Sequence, residues 1–502
     1  MKNQSIFNVV EYGAVGDGKS NDTEPIRSAV ESCVKQGGGI IYFPSGKYLT
    51  GAIILGSNVT LEICSGATIL GSEDPNDYLL VKEETINGSK LTITGLIHAE
   101  DAENIAIVGR GTIDGQGRRW WELHWKGQLS HGRPKLIDLK RCTNVTIRDL
   151  TLKNSPFWTV HPFVCNDVTI ENLRIINPPN SPNTDGINPD SCRNVRISNC
   201  YIDVGDDCIA IKAGTELEPY RADKPSENIS ITNCIMIHGH GGVVMGSETS
   251  GSIRNVVVSN CIFNNTDRGV RIKTRRGRGG TVENIRVNNV LMNKVFCPFV
   301  VNMFYATPLP SDNSPLPITG GTPSVRKIYL SNITAQECSA AAGFLYGLPE
   351  MPIEDIVLSN VIISMGKDPT FQGAQPAMIR GLPKMICSGF YCRNVRGLEF
   401  NNVKIIGVEN DATLKLEFSE GVKIEGVSIK TAAYSYPAIE LRDVKHAIIR
   451  GCSLYSEVES FVRIGGANSK DIAVGENQTA LSKRMIDLSG EVDRNSIKVM
   501  QP

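Results

Sequence analysis

Asn183-Thr184-Asp185 is followed 21 positions later (185 to 206) by the adjacent acids Asp206-Asp207. Both segments lie in a chain that repeats itself about every 25 residues. If one repeat is one turn of a solenoid, a one-repeat separation stacks Asp185 beside the pair at a strand spacing of about 4.8 Å. Three carboxylates then share one patch of surface. Like charges that close resist simultaneous ionisation, so at least one should keep its proton toward neutral pH while another stays ionised. That is the condition for paired acid and base chemistry.

Two further groups follow at similar intervals. Gly239-His240-Gly241 comes 33 positions after Asp207 (207 to 240), and Arg271-Ile272-Lys273 another 31 on (240 to 271). One coil plus a short loop separates each from the last, which predicts a ladder across one groove. The small neighbours of His240 leave its ring exposed. Arg271 and Lys273, two apart on a strand, share a face and can both meet a carboxylate, which points to an acidic sugar rather than a neutral one. Arg275, Arg276 and Arg278 extend this into the densest basic cluster of a chain whose formal net charge is only −1. With little aromatic interleaving and no overall basic charge, the cluster fits a polyanionic sugar better than nucleic acid. His238 lacks the preceding glycine and is read as structural. A zinc site from Cys234, His238 and His240 has no fourth ligand at metal-like spacing, so no metal and no organic cofactor are expected.

The elements that must position these groups are short strands. The recurring unit is a polar or small residue, an alternating β-branched stretch, then Asn or Gly. Examples are Asn104-Ile105-Ala106-Ile107, Asn144-Val145-Thr146-Ile147, Asp167-Val168-Thr169-Ile170, Asn194-Val195-Arg196-Ile197 and Asn228-Ile229-Ser230-Ile231, continuing to Gly421-Val422-Lys423-Ile424. Period-2 alternation with Asn at the bends predicts strands, which excludes helical and leucine-rich solenoids. The expected fold is all-β, a right-handed parallel β-helix forming one domain over 1–502. Residues 1–80 would supply an N-terminal cap and the first coils, and about 460–502 a C-terminal cap. Terminal coils expose unpaired strand edges and need covers. At the front, Asn21-Asp22-Thr23 predicts the start of a helix running through Ile26, Ala29, Val30 and Cys33 to Gly37-Gly38-Gly39. Departures from the repeat fall at 115–135, with Trp120, Trp121 and Trp125, at 213–227, with Tyr220, Arg221 and Lys224, and at 305–326. Inserted loops on a solenoid collect on one face and shape its groove.

Composition agrees. With 48 glycines, 25 prolines and 6% aromatic residues, the chain suits short strands and tight turns, and 41% hydrophobic residues supply a continuous core. No apolar run reaches the 18 or so residues of a membrane span, and Met1-Lys2-Asn3-Gln4-Ser5 leads into Ile6-Phe7-Asn8 without an apolar leader core. The expectation is a cytoplasmic chain with no membrane contact, or a secreted one if a leader has been removed. Many of the 14 cysteines recur at one repeat position, as in Ser198-Asn199-Cys200, Thr232-Asn233-Cys234 and Ser259-Asn260-Cys261, and are read as stacked, reduced, buried thiols. Oligomeric state stays open.

Gly13-Ala14-Val15-Gly16-Asp17-Gly18 and Phe43-Pro44-Ser45-Gly46-Lys47-Tyr48 resemble the opening of pectate-lyase-superfamily β-helices. Taken in order, Asn183-Thr184-Asp185, Asp206-Asp207, Gly239-His240-Gly241 and Arg271-Ile272-Lys273 resemble the four signature motifs of glycoside hydrolase family 28, the polygalacturonase family. The resemblance covers roughly residues 5–460 in architecture. It implies hydrolysis of α-1,4-galacturonosidic bonds of a pectic substrate with inversion at the anomeric carbon. By the same resemblance Asp206 is the general acid, Asp185 and Asp207 hold and deprotonate the attacking water, and His240 sits beside the acid. Asn183, Arg271, Lys273 and Tyr305 would contact substrate, with Tyr305 stacking on a sugar ring. The inserts at 115–135 and 213–227 resemble those of exo-acting relatives, which implies trimming from the non-reducing end. Three alternatives remain open. One is a rhamnogalacturonan-type hydrolase of the same fold. Another is a pectate lyase, which would depend on calcium and an arginine base and would not need the acid pair or Gly-His-Gly. The last is a β-helix that grips polysaccharide without cleaving it.

Overall fold

Asn104, Asn144, Asp167, Asn194, Asn228, Asn255, Asn284, Lys327 and Asp355, which open successive sequence repeats, all have φ between 54 and 58°, and Gly397 and Gly421 stand at 69 and 66°. This left-handed conformation is one that Asn, Asp and Gly adopt at low cost, and it turns the chain from one strand into the next. Side-chain amides then stack from coil to coil. Nδ2 of Asn104 donates to Oδ1 of Asn58 at 2.8 Å, Asn144 to Asn104 at 2.8 Å and, further on, Asn284 to Asn255 at 2.8 Å. After each turn the β-branched residues alternate inward: Ile105 and Ile107, Val145 and Ile147, Val168 and Ile170, Val195 and Ile197 are all buried. Backbone turn, amide ladder and apolar interior therefore come from one repeated stretch of sequence.

In a computed structural model the described residues are 5–85, 88–214, 224–432 and 434–500. The strands form a right-handed parallel β-helix, and the chain divides into two units, Met1–Val243 and Val244–Pro502.

In the first unit one parallel ladder runs from Ile6–Asn8 through Gly39–Phe43, Val59–Ile63, Glu103–Gly109, Thr143–Arg148, Asn166–Glu171 and Arg193–Ser198 to Ser226–Thr232. A second passes from Thr112–Asp114 through Thr151–Lys153, Arg174–Ile176 and Tyr201–Asp203 to Ile235–Ile237. The third face stacks Ile53–Leu55, Ile97–Glu100, Ile137–Lys140 and Val160–Phe163, and continues as single bridges at Ile187 and Asp190 to Ile209 and Lys212. Helix α1 (Thr23–Lys35) packs on the first strands through Ile26, Ala29, Val30 and Cys33, as the sequence predicts. Its cap differs in detail. The Asp22 carboxylate accepts from Val15 and Gly16 instead of from the helix, and Asn21 Oδ1 accepts the Thr23 N–H at 3.0 Å. Among the described residues, Leu80–Thr85 and Gly88–Ile93 pair as an antiparallel hairpin outside the parallel ladders.

The second unit stacks long parallel strands, Ile253–Asn264, Thr281–Asn293, Ser324–Cys338, Ile353–Met365 and Val395–Ile406, with a register shift between Ala335 and Cys338. Its other face carries Arg268–Lys273, Cys297–Asn302, Ala341–Tyr346 and Ser388–Arg393. The stretch expected as a C-terminal cap from about 460 continues the ladders: Ser482–Ser489 pairs with Val458–Gly465, and Ile497–Met500 with Lys470–Gly475. The 305–326 departure holds no strand before Ser324. A further insert at 366–387, which the repeat did not reveal, bridges Pro308 through Arg380 and folds on itself at Ala374 and Met385. Tyr220 and Arg221 of the 213–227 insert lie outside the described residues.

All the cysteines are free, and every one but Cys64 is buried. Cys142, Cys165 and Cys192 stack on successive coils, each backbone N–H of the first two pointing at the next sulfur at 3.4 Å.

Candidate active site

Asp185 and Asp207 occupy equivalent rungs because the backbone says so. The N–H of Gly186 donates to the carbonyl of Asp207 at 3.0 Å, and that of Ile187 to Cys208 at 3.0 Å, while the Asp185 carbonyl accepts from Thr159 at 2.9 Å. A side chain at position 186 would run into the Cys208 carbonyl, 2.4 Å from where its Cβ would stand, so glycine is required for this close rung spacing. One carboxylate oxygen from each of Asp185, Asp206 and Asp207 lies within 4.8 Å of the others, as the one-repeat spacing predicts. Asp185 and Asp207 are buried at 3% and 1% exposure, while Asp206 shows 18% of its side chain to solvent.

Each acid has its own surroundings. Oδ1 of Asp206 accepts from the N–H of Asp207 at 2.9 Å and lies 3.1 Å from Nδ1 of His240, and Oδ2 is 3.5 Å from Nδ2 of Asn183. Oδ2 of Asp185 accepts from Nδ2 of Asn188 at 3.1 Å and lies 3.9 Å from the Lys212 ammonium, which itself sits 4.7 Å above the Trp158 ring. Sequence reasoning missed Asn188 and Lys212, although each is a polar residue closing an apolar run, Gly186-Ile187-Asn188 and Ile209-Ala210-Ile211-Lys212.

His240 is held over the acid by its backbone, since its N–H donates to the Asp206 carbonyl at 3.1 Å. Gly239 makes this approach at φ 86°, and a Cβ there would fall 2.4 Å from the same carbonyl. The ring is half exposed, as its small neighbours suggested. His238 points elsewhere, with Nδ1 at 2.9 Å from Oδ1 of Asp203, and Cys234 Sγ faces the Thr232 carbonyl, so Cys234, His238 and His240 do not converge.

Arg271, Lys273 and Tyr305 come together within the second unit. The Tyr305 ring centroid is 5.9 Å from the Arg271 guanidinium carbon and 5.3 Å from Lys273 Nζ, and the Tyr305 N–H donates to Thr274 at 3.0 Å. Arg271 and Lys273 are buried at 2% and 6% exposure. Arg276 departs from the expected basic cluster: it forms a bidentate pair with the buried Glu350, at 2.6 and 2.9 Å, and lies over Phe304. Burial pushes the Glu350 carboxyl up, but the bonds from Arg276 more than offset this and hold it below its ordinary value. This arginine is therefore committed within the fold. The tryptophans of the 115–135 insert are also partly structural. Trp120 and Trp121 are buried in helix α2 (Arg118–Trp125), Trp121 Nε1 donating to the Ser155 carbonyl and Trp120 packing edge-on to Tyr78, whereas Trp125 is exposed.

A parallel β-helix carrying three acids at the head of adjoining rungs, one of them paired with a histidine, defines a class of polysaccharide-cleaving solenoids. The sequence model for glycosyl hydrolases family 28 matches residues 49–378. A probable polygalacturonase of Vitis vinifera is 36% identical over 367 residues, covering 71% of this chain and 74% of its own. The solved structure of a hyperthermoactive exopolygalacturonase from Thermotoga maritima superposes with a TM-score of 0.67 at 30% identity, over 80% of this chain and 91% of that one. A family 28 exopolygalacturonase from Yersinia enterocolitica, at 22% identity and a TM-score of 0.68 over 88% of this chain and 78% of its own, shares the fold. The chain belongs to glycosyl hydrolase family 28 and is a glycoside hydrolase. No helix among its described residues is long and apolar enough to cross a membrane.

Proposed function

We propose that the protein hydrolyses α-1,4-galacturonosidic bonds of polygalacturonate and its oligomers, trimming from the non-reducing end with inversion. The observation that carries this is the division of labour among the three acids. Asp206, the one open to solvent, stands between His240 and Asn183, where it can hand a proton to a leaving oxygen and recover it. Asp185 and Asp207 are buried behind it, and the Lys212 ammonium beside Asp185 favours a charged carboxylate that can hold and deprotonate water. Arg271 and Lys273 next to Tyr305 suit the carboxylate and ring face of a uronic acid.

The nearest oxygens of the three acids are closer than the roughly 6.5–9.5 Å usual between the carboxyls of an inverting pair. Inversion here requires Asp185 and Asp207 to share one water beside the acid. Proton NMR of the first product formed decides this, because an inverted α-linkage appears as the β-anomer. Exo action is tested on the same sample by chromatography of tri-galacturonate and polygalacturonate digests. Galacturonate monomer as the first product is expected, and an early ladder of mid-length fragments would sink exo cleavage. New reducing ends that form in the presence of chelator separate hydrolysis from calcium-dependent elimination.

A further inference from the structure

Arg133 lies in the inserted stretch after α2 and is 9% exposed. Its Nη1 donates to the carbonyls of Pro156 at 3.0 Å and Pro182 at 2.6 Å, and the guanidinium carbon sits 4.7 Å above the Phe157 ring. The insert is thereby tied to two successive coils. The other arm does something that anchoring does not require: Nη2 donates to Oδ1 of Asn183 at 2.7 Å.

A guanidinium offers donors only, so it accepts one orientation of the Asn183 amide, with oxygen toward Arg133. The amide nitrogen must then face the other way, and Nδ2 stands 3.5 Å from Oδ2 of Asp206. Flipped by half a turn, the same side chain would set its oxygen against the carboxylate and lose both contacts. Burial draws the guanidinium down to about 10, with Asp185 and Asp206 pushing it back up, so Arg133 is charged at neutral pH.

We propose that Arg133 is a positioning residue for the acid: it fixes the Asn183 amide so that Nδ2 is presented to Asp206, which makes the 115–135 insert part of the machinery. The proposal rests on Asp206 being the acid of the hydrolysis proposed above. A lysine at position 133 keeps the charge but cannot hold two carbonyls and the amide together.

The experiment compares the wild type with Arg133→Lys, Asn183→Ala and the double variant on tri-galacturonate, over pH. Arg133→Lys should lower kcat by up to about 100-fold, the order that misplacing a reacting group by an ångström costs, with KM within about twofold and the alkaline limb of the kcat profile displaced. Asn183→Ala should show the same displacement, and the double variant should lose no more than Asn183→Ala alone. Multiplying losses in the double variant, or wild-type kcat and pH profile in Arg133→Lys, would overturn the proposal. Asn183→Asp leaves Arg133 and its anchors in place but removes the donor to Asp206. It should lose kcat likewise, and full activity there overturns the proposal even where Arg133→Lys does not fold. A wild type that releases no reducing ends removes the hydrolase reading instead. In that case the crystal structure of Arg133→Lys still decides, because an Asn183 amide that keeps its place on Asp206 refutes the positioning role.

Discussion

His240 is tied to Asp206 twice: its backbone N–H donates to the Asp206 carbonyl at 3.1 Å and its ring Nδ1 lies 3.1 Å from the carboxylate Oδ1. Ring and carboxylate are therefore held against one another through both backbone and side chain. Replacing Asp206 by Asn keeps the shape and, on the role proposed for it, removes the proton donor. Turnover on tri-galacturonate should fall by about 10²–10⁴-fold while substrate still binds and the melting temperature is held. Reducing-end assay and calorimetric titration with oligogalacturonide check the two halves. Unchanged turnover in Asp206→Asn would mean that these acids do not carry the reaction.

The cations of the second unit should separate by role. Arg271 and Lys273 flank Tyr305, whereas Arg276 is locked to Glu350. Arg271→Ala and Lys273→Ala should each cost about 1.5–3 kcal/mol of kcat/KM, or roughly 10- to 150-fold, by losing a charged hydrogen bond to the uronate. Arg276→Ala should leave KM unchanged and lower the melting temperature, because it strands a buried carboxylate. A KM effect for Arg276→Ala matching that of Arg271→Ala would contradict this division.

The periodic part of the molecule was written in the repeat, since left-handed Asn, inward Val and Ile, and a fixed rung spacing are local properties that recur. That periodicity also places Asp185 beside Asp207 on residue spacing alone, as the backbone bonds between their rungs bear out. What it could not place were contacts made by chain that leaves the repeat. Arg133 reaches Asn183 from 50 residues away, out of an insert whose path no period describes. Arg276 finds Glu350 in the same aperiodic way, 74 residues on, which is why this one arginine leaves the basic cluster that the sequence groups together. Asn188 and Lys212 fall within rungs, but their meaning appears only once Asp185 is known to lie at 3.1 and 3.9 Å from them.

Stacked thiols make a prediction of their own. The Cys165 thiol and then burial push Cys142 up; the bond from Cys142 lowers Cys165, but Cys192 and burial outweigh it and push that thiol up; Cys208 rises through burial and the surrounding Asp207, Asp203 and Asp185. Thiolates are scarce in such places. An aromatic disulfide reagent at pH 8 should therefore titrate Cys64 and little else in the folded protein, and all the cysteines after denaturation. Rapid modification of several thiols under native conditions would show that the coils open far more readily than their packing implies.

Asp138, on the strand Ile137–Lys140, sits between His98 and His161 on neighbouring rungs. Its carboxylate lies 2.8 Å from His161 Nδ1, 3.1 Å from Lys135 Nζ, 3.5 Å from His98 Nδ1 and 3.9 Å from Lys140 Nζ, with Asp190 and Glu100 on the far sides of the two rings. Burial alone would raise this carboxyl, but the charge of Lys135 and the bonds from His161 and His98 reverse the shift and hold it well below its ordinary value. A carboxyl whose folded pKa is depressed adds stability that is complete above its unfolded value of about 3.9 and disappears as pH falls through the folded one. Asp138→Asn should thus cost about 3–5 kcal/mol at pH 7, the range for breaking a buried pair. The gap between wild type and Asp138→Asn in denaturant midpoint should be constant from pH 7 to about 5 and narrow progressively below about 4. A gap that persists undiminished to pH 3 would mean that the contribution of Asp138 is one of packing and not of charge.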